Sequence, residues 1–358
     1  MNLKTGSYSC QGVSFLPSTA VLEMTYRCNH RCLFCSCPWT AENNDWQDSA
    51  ELSTDQWKDV LEILSLHGIH NICFTGGEAL LRSDIWDIID YASRLRMPVI
   101  KEEGGSLVEK ILPAKLYLLS NGKCVDDKVL DACKKYDIQL SVSMPGLRTF
   151  EELTGGGDVD RILSVFEGAR KRGLNTVVGI TVTKKNLGEL YETIAAAFLA
   201  GATQLLLNRF LEGGRGRSFV RELELSHGEI IKMLDVAEQA LIDARKYGSV
   251  GTELPACLFN SKKYQRLEVS TGCSAGKGFF VIGPSGKIRV CNHSQVELAH
   301  YSKIESLKID PYWMQFAQSE YLPAMCFDCR DAGRCAGGCR EAAHIVSGTI
   351  DAPDALLV

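Results

Sequence analysis

From about residue 19 to residue 250 the chain keeps one rhythm, a short apolar run followed by a longer amphipathic stretch, and this limits the folds open to it. The runs are AVLEMTY, NICFTGG, KLYLLSNG, IQLSVSM, NTVVGITVT and TQLLLNRF. Between them, helical patterns cover Asp55 to His67, Asp84 to Arg94, Lys128 to Tyr136, Val159 to Arg172 and Leu187 to Leu199. Strands alternating with helices predict a parallel sheet with the helices outside it. Six units predict an α/β fold, a partial (β/α)6 TIM-like barrel open on one side. Its chemistry is expected at the C-terminal ends of the strands.

Two stretches depart from the rhythm. MPVIKEEGGSLVEKILPA, Met97 to Ala114, interrupts it after the second helix and reads as a solvated loop, a lid or partner contact being the other use. After a long amphipathic helix, about Ser226 to Tyr247, the texture becomes rich in Gly and Cys, and GPSG inside GFFVIGPSGKIRVC predicts a hairpin. The expected division is an N-terminal segment 1–18, a barrel 19–250 and a small Cys-rich C-terminal domain 251–358.

With 358 residues, 45% of them apolar, the chain can bury a sizeable core. Net charge is −5 and no long basic run occurs, which argues against a nucleic-acid partner. No apolar stretch reaches the roughly 18 residues of a membrane span. The start, MNLKTGSYSCQG, lacks the apolar run of a secretory signal. A cytoplasmic protein is expected, and there fifteen cysteines point to metal or redox sites rather than disulfides.

The cysteines are grouped. Cys28, Cys32, Cys35 and Cys37 follow the first strand; Cys326, Cys329, Cys335 and Cys339 lie near the other end, approached by Cys257, Cys273 and Cys291. A Cys-x3-Cys-x2-Cys loop can hold three irons of a cubane and leave the fourth open. Zinc is the rival reading; it wants four closed ligands. Cys37 is the only local candidate for the fourth, awkwardly one residue beyond Cys35 and followed by Pro38.

CNHRCLFC after a first strand resembles the signature loop of radical S-adenosylmethionine (radical SAM) enzymes. The resemblance implies that Cys28, Cys32 and Cys35 bind a 4Fe–4S cluster whose open iron chelates the methionyl part of S-adenosylmethionine. One electron, from a donor such as flavodoxin or ferredoxin, then yields a 5′-deoxyadenosyl radical that abstracts hydrogen. Phe34 matches the aromatic residue usual before the third cysteine. FTGGEAL resembles the family's Gly-Gly-Glu motif, so Gly76, Gly77 and Glu78 are expected to receive the cosubstrate's amino group. LSNG, with Asn121, resembles the third strand end. SVSMPG resembles the fourth, with Ser143 toward the ribose, but Pro145 stands where related peptide-modifying members carry Asp. GITVTKKN resembles the fifth, with Thr181 expected to line the pocket.

The second group resembles the SPASM extension, which carries two auxiliary 4Fe–4S clusters; CSAGKGFFVIGPSGKIRVC and CAGGC match it. By that resemblance Cys273, Cys291 and Cys339 bind the first auxiliary cluster, with Cys257 as its fourth ligand, and Cys326, Cys329 and Cys335 bind the second. The family's last cysteine is missing. This leaves a carboxylate such as Asp351 or Asp354, an open iron, or a single auxiliary cluster; zinc is the other reading of that run.

Cys73 and Cys133 are expected in the core, and Cys10, Cys37 and Cys124 carry no assigned role. His30, His293 and His344 read as ordinary histidines. Arg209, Arg215 and Arg217 read as a basic loop or as contacts to a carboxylate or peptide backbone. The expected function is maturation of a ribosomally made peptide by hydrogen abstraction, giving a thioether, a carbon–carbon cross-link or an epimerised residue. With few residues ahead of the barrel, leader binding is expected from a separate protein or the barrel surface. The alternatives are formylglycine formation in a sulfatase, a step of tetrapyrrole or redox-cofactor assembly, and a metal-binding scaffold without chemistry.

Overall fold

A computed structural model describes residues 15–42 and 50–357; Cys10 and most of the 1–18 segment lie outside the described residues. The six expected strands form, trimmed where the chain turns: β1 (Thr19–Glu23) and β2 (Asn71–Thr75), then, beyond a hairpin of β3 (Arg96–Glu103) and β4 (Ser106–Pro113), β5 (Lys115–Ser120), β6 (Gln139–Ser143), β7 (Thr176–Val182) and β8 (Gln204–Arg209). They stand side by side in chain order, every pair parallel.

Side chains alternate across a strand, so each strand serves two faces. Leu22, Phe74, Leu118, Val142, Ile180 and Leu207 join the helices in one core. Their neighbours Glu23, Thr75, Leu119, Thr181 and Asn208 line the interior of the sheet's curve. The helices follow the expected spans, at Thr54–Leu66, Ile85–Arg94, Asp127–Lys135, Val159–Lys171, Leu190–Ala200 and His227–Ala244. Ser53 with Gln56 and Ser226 with Glu229 start the first and last of these as reciprocal capping boxes.

The C-terminal region extends the same sheet at both edges. β9 (Gly248–Val250) and β10 (Leu267–Val269) follow β8. β11 (Phe279–Ile282) lies parallel against β1 and carries β12 (Ile288–Arg289) antiparallel beyond it, forming the hairpin expected at GPSG. The sheet thus runs across the boundary expected near residue 250.

Residues 97–114 are not a solvated loop. Arg96–Glu103 and Ser106–Pro113 pair antiparallel around Gly104 and Gly105, both at positive φ, as a tight hairpin turn requires. Met97 and Val99 are buried. Cys133 and Cys73 are both in the core as expected, Cys73 in a small cluster with Val21 and Val281 beside the interior of the sheet's curve. Among the described residues no helix is long and apolar enough to cross a membrane.

Candidate functional site

The first cysteine group hangs from the C-terminal end of β1 and is held from three sides. The Arg31 and Leu33 amides donate to Thr154 O and Leu153 O, both at 2.9 Å. Gly216 N–H donates to Cys35 O at 3.0 Å, and Arg215 Nη1 to Cys32 O at 3.2 Å. Arg215, read from the sequence as part of a basic loop, therefore ties the strand-β8 loop onto the cysteines. Cys28, Cys32 and Cys35, with Gly76, Gly77 and His30, wall a cavity of about 540 Å³.

Cys37 gains a role here. Its thiol hydrogen-bonds to Cys35, which lowers Cys35 to about 6 and raises Cys37 well above the usual thiol range. Asn121 Nδ2 donates to Asn29 Oδ1 at 2.7 Å and reaches Cys28 Sγ at 3.7 Å, while Asn29 Nδ2 lies 3.2 Å from Cys124 Sγ. Cys124 thus belongs to the packing around the cysteine loop.

The glycine pair fits by close approach of backbones. Gly77 N–H donates to Thr25 O at 2.7 Å and Glu78 N–H to Arg27 O at 2.9 Å. A Cβ at Gly76 would sit 2.3 Å from Thr25 O, and one at Gly77 2.2 Å from Arg27 O. Gly77→Ala is therefore expected to lose about 1–3 kcal/mol of stability through overpacking, together with iron uptake at this loop. Thermal unfolding and iron analysis of the reconstituted variant check both.

Glu78 sits within electrostatic reach of Cys28. Its carboxylate accepts from Asn121 N–H (2.8 Å), Leu80 N–H (3.2 Å) and Ser120 Oγ (3.1 Å), at 1% exposure. Burial raises its pKa, while these donors oppose the shift. It braces the turn. The carboxylate that does line the cavity is Glu51, paired with Arg82 at 3.5 Å, which the sequence reading did not single out. Ser143 ends β6 as an exposed residue outside both large cavities, and Thr181 lines the second one.

That second cavity, about 340 Å³, lies inside the curve of the sheet. One wall carries Phe34, Ser36, Cys37 and Gly76; the opposite wall carries Cys273, Cys291 and Cys339. Ser36 Oγ meets His293 Nδ1 at 3.0 Å, joining the two walls. Burial lowers His293 to about 4, so the ring is neutral near pH 7. Glu341, 1% exposed, lines the same wall, with His344 Nδ1 3.6 Å from its Oε2.

Cys273, Cys291 and Cys339 are buried within electrostatic reach of one another, as expected. Cys257 is not with them: its cysteine neighbours are Cys335 and Cys329. The carboxylates suggested for the second group are also engaged elsewhere. Asp354 is fully buried, pairs with Arg209 at 2.6 Å and accepts from Cys339 N–H at 2.9 Å. Asp351 bonds the Thr349 hydroxyl. Among the described residues no three Cys, His, Asp or Glu side chains converge as a single metal ion requires. A cubane takes one thiolate per iron around a wider frame, and a thiol-lined cavity beside a glycine wall suits such a cluster with a small zwitterionic cosubstrate.

The profile of the Radical SAM superfamily matches residues 22–197. Mycofactocin maturase MftC of Mycolicibacterium smegmatis is 24% identical over 94% of this chain and 82% of its own. PqqA peptide cyclase of Gluconobacter oxydans is 24% identical over 93% of this chain and 88% of its own. Streptococcus suis SuiB, solved with S-adenosylmethionine, shares the fold at a TM-score of 0.70 and 17% identity, over 95% of this chain and 77% of its own. Solved with its precursor peptide SuiA, it gives 0.71 at 16% identity, over 95% and 75%. Motifs, strand order and relatives agree: the chain is an enzyme of the radical SAM superfamily, whose members use a 4Fe–4S cluster and S-adenosylmethionine.

Proposed function

We propose that this enzyme matures a ribosomally made peptide, abstracting hydrogen from it and leaving a thioether, a carbon–carbon cross-link or an epimerised residue. The observation that carries this reading is the single cavity of about 340 Å³ shared by the cysteine-loop wall and the Cys273, Cys291 and Cys339 wall. A side chain held there meets the radical source on one face and an electron acceptor on the other. The relatives support a peptide: two are named as a peptide cyclase and a maturase, and SuiB was solved with a precursor peptide.

In this reading Cys28, Cys32 and Cys35 hold the cluster, and Gly76, Gly77, Glu78, Asn121, Ser143 and Thr181 serve the cosubstrate. When bound, the cluster and cosubstrate supply the 5′-deoxyadenosyl radical. The protein's own work is placement: Arg215 and Thr154 fix the cysteine loop, Glu78 fixes the glycine turn, and the buried walls exclude water. Cys273, Cys291 and Cys339 would hold an auxiliary cluster, which would supply an acceptor for the electron left over from bond formation. Flavodoxin or ferredoxin supplies the first electron, and a separate protein or the barrel's own surface binds the peptide leader.

The test is anaerobic turnover with S-adenosylmethionine, a reductant and the short Cys-, Trp- or repeat-rich peptides encoded beside the gene. Expected is 5′-deoxyadenosine with loss of two hydrogens from a peptide, or deuterium uptake from heavy water if the residue is epimerised. Turnover on a sulfatase-derived cysteine peptide alone would replace this reading with formylglycine formation.

A further inference from the structure

Sequence distance places Cys257 with Cys273, but the fold separates them. Between the two the chain runs out to β10 at the far edge of the sheet and returns. The turn that carries Cys257 packs instead on the Cys326 to Gly338 loop. Ala256 N–H donates to Cys335 Sγ at 3.2 Å, the kind of backbone N–H to sulfur bond that steadies a cluster thiolate. Pro255 lies so close to Gly338 that a Cβ there would be 2.8 Å from the proline ring. On the other side of that loop, Cys329 N–H donates to Cys326 O at 3.1 Å and Cys335 N–H to Asp331 O at 2.9 Å, folding the three cysteines inward.

The surroundings of the thiols agree. Cys257 feels Cys335, Cys329 and Asp331; Cys326 feels Cys329, Cys335 and Cys257. Cys273, Cys291 and Cys339 interact among themselves, with Glu253 and Glu341 beside them. Exposure differs between the sets as well: Cys257 and Cys329 are exposed, Cys326 is half-buried and only Cys335 is buried, whereas Cys273, Cys291 and Cys339 are all buried against the inner cavity.

We propose that Cys257 is the fourth thiolate of the second auxiliary cluster, completing Cys326, Cys329 and Cys335 in place of the cysteine missing after Cys339. The first auxiliary cluster is then held by three thiolates, with its remaining corner at the inner cavity. This rests on the reading of the C-terminal region as a two-cluster extension.

The experiment is thiol alkylation of the whole chain under anaerobic native conditions, before and after reconstitution with iron and sulfide, read at Cys257 by peptide mass spectrometry. Cys257 is expected to be labelled in the iron-free chain and protected after reconstitution. Protection is lost in the Cys326→Ala/Cys329→Ala/Cys335→Ala variant and kept in the Cys273→Ala/Cys291→Ala/Cys339→Ala variant. The opposite pattern, protection in both variants, or undiminished labelling of the reconstituted wild type overturns the assignment. If both variants expose Cys257 by loosening, Cys257→Ser in the otherwise intact chain decides. A three-iron EPR signal on mild oxidation that exceeds the wild type's, whose three-thiolate clusters set the baseline, supports the assignment, and an unchanged cluster spectrum overturns it. Failure of the wild type to take up more than about eight irons per chain would sink the two-cluster reading itself, separately from the place of Cys257.

Discussion

Replacing Cys28, Cys32 and Cys35 together with alanine is expected to lower iron from about twelve to about eight per chain and to abolish 5′-deoxyadenosine formation. The three thiols wall one cavity with Gly76 and Gly77, away from the C-terminal cysteines, so removing them empties one site. Backbone bonds from Thr154, Leu153 and Gly216 hold the loop without the thiols, so the variant keeps its fold and its other irons. Iron and sulfide analysis with chromatography of the nucleoside products reads both effects. A variant that kept its iron, or still cleaved the cosubstrate, would remove the cysteine loop from the chemistry.

The second large effect concerns stability. Arg289→Met is expected to cost about 3–5 kcal/mol, because it strands a buried carboxylate. Arg289 and Glu23 are both fully buried and hydrogen-bonded to each other; Asn292 Nδ2 donates to Glu23 at 3.0 Å, and Arg289 Nη1 donates to Asn292 O and Ser294 O at 3.1 and 3.0 Å. This pair fastens β1, which leads into the first cysteine group, to the strand that leads into Cys291. The double variant Glu23→Gln/Arg289→Met removes the stranded charge and is expected to recover much of the loss. Chemical denaturation of the iron-free chains measures both, and equal losses in the single and double variants would mean the charge pair is not the cause.

Much of this was legible in the sequence because it is local. Apolar runs and amphipathic spacing placed six strands and their helices, and the Cys-x3-Cys-x2-Cys loop stands at the strand end where a partial barrel keeps its chemistry. Non-local placement was harder. The Gly-Gly-Glu motif gives the residue types, but the direction of Glu78 is set by Ser120 and Asn121 on the neighbouring strand. Cys257 is close to Cys273 in sequence, yet the excursion to β10 separates them in space. The 97–114 hairpin carried a legible turn in Gly104–Gly105, but the charged run Lys101-Glu102-Glu103 hid the strand beside it.

The docking of β11 on β1 sets an order of events during synthesis. Thr19 stands opposite Phe279, so one edge of the strand that bears the cysteine loop waits for a segment made long after it. Contacts between such distant parts of a chain form slowly, and an open strand edge invites mispairing with other chains. A ribosome stalled or a gene truncated before residue 279 would therefore release a barrel with its working strand unguarded. Cluster insertion that ran ahead of this closure would load iron onto a half-built wall, so maturation of the enzyme is best served by a delivery step that acts on the completed chain.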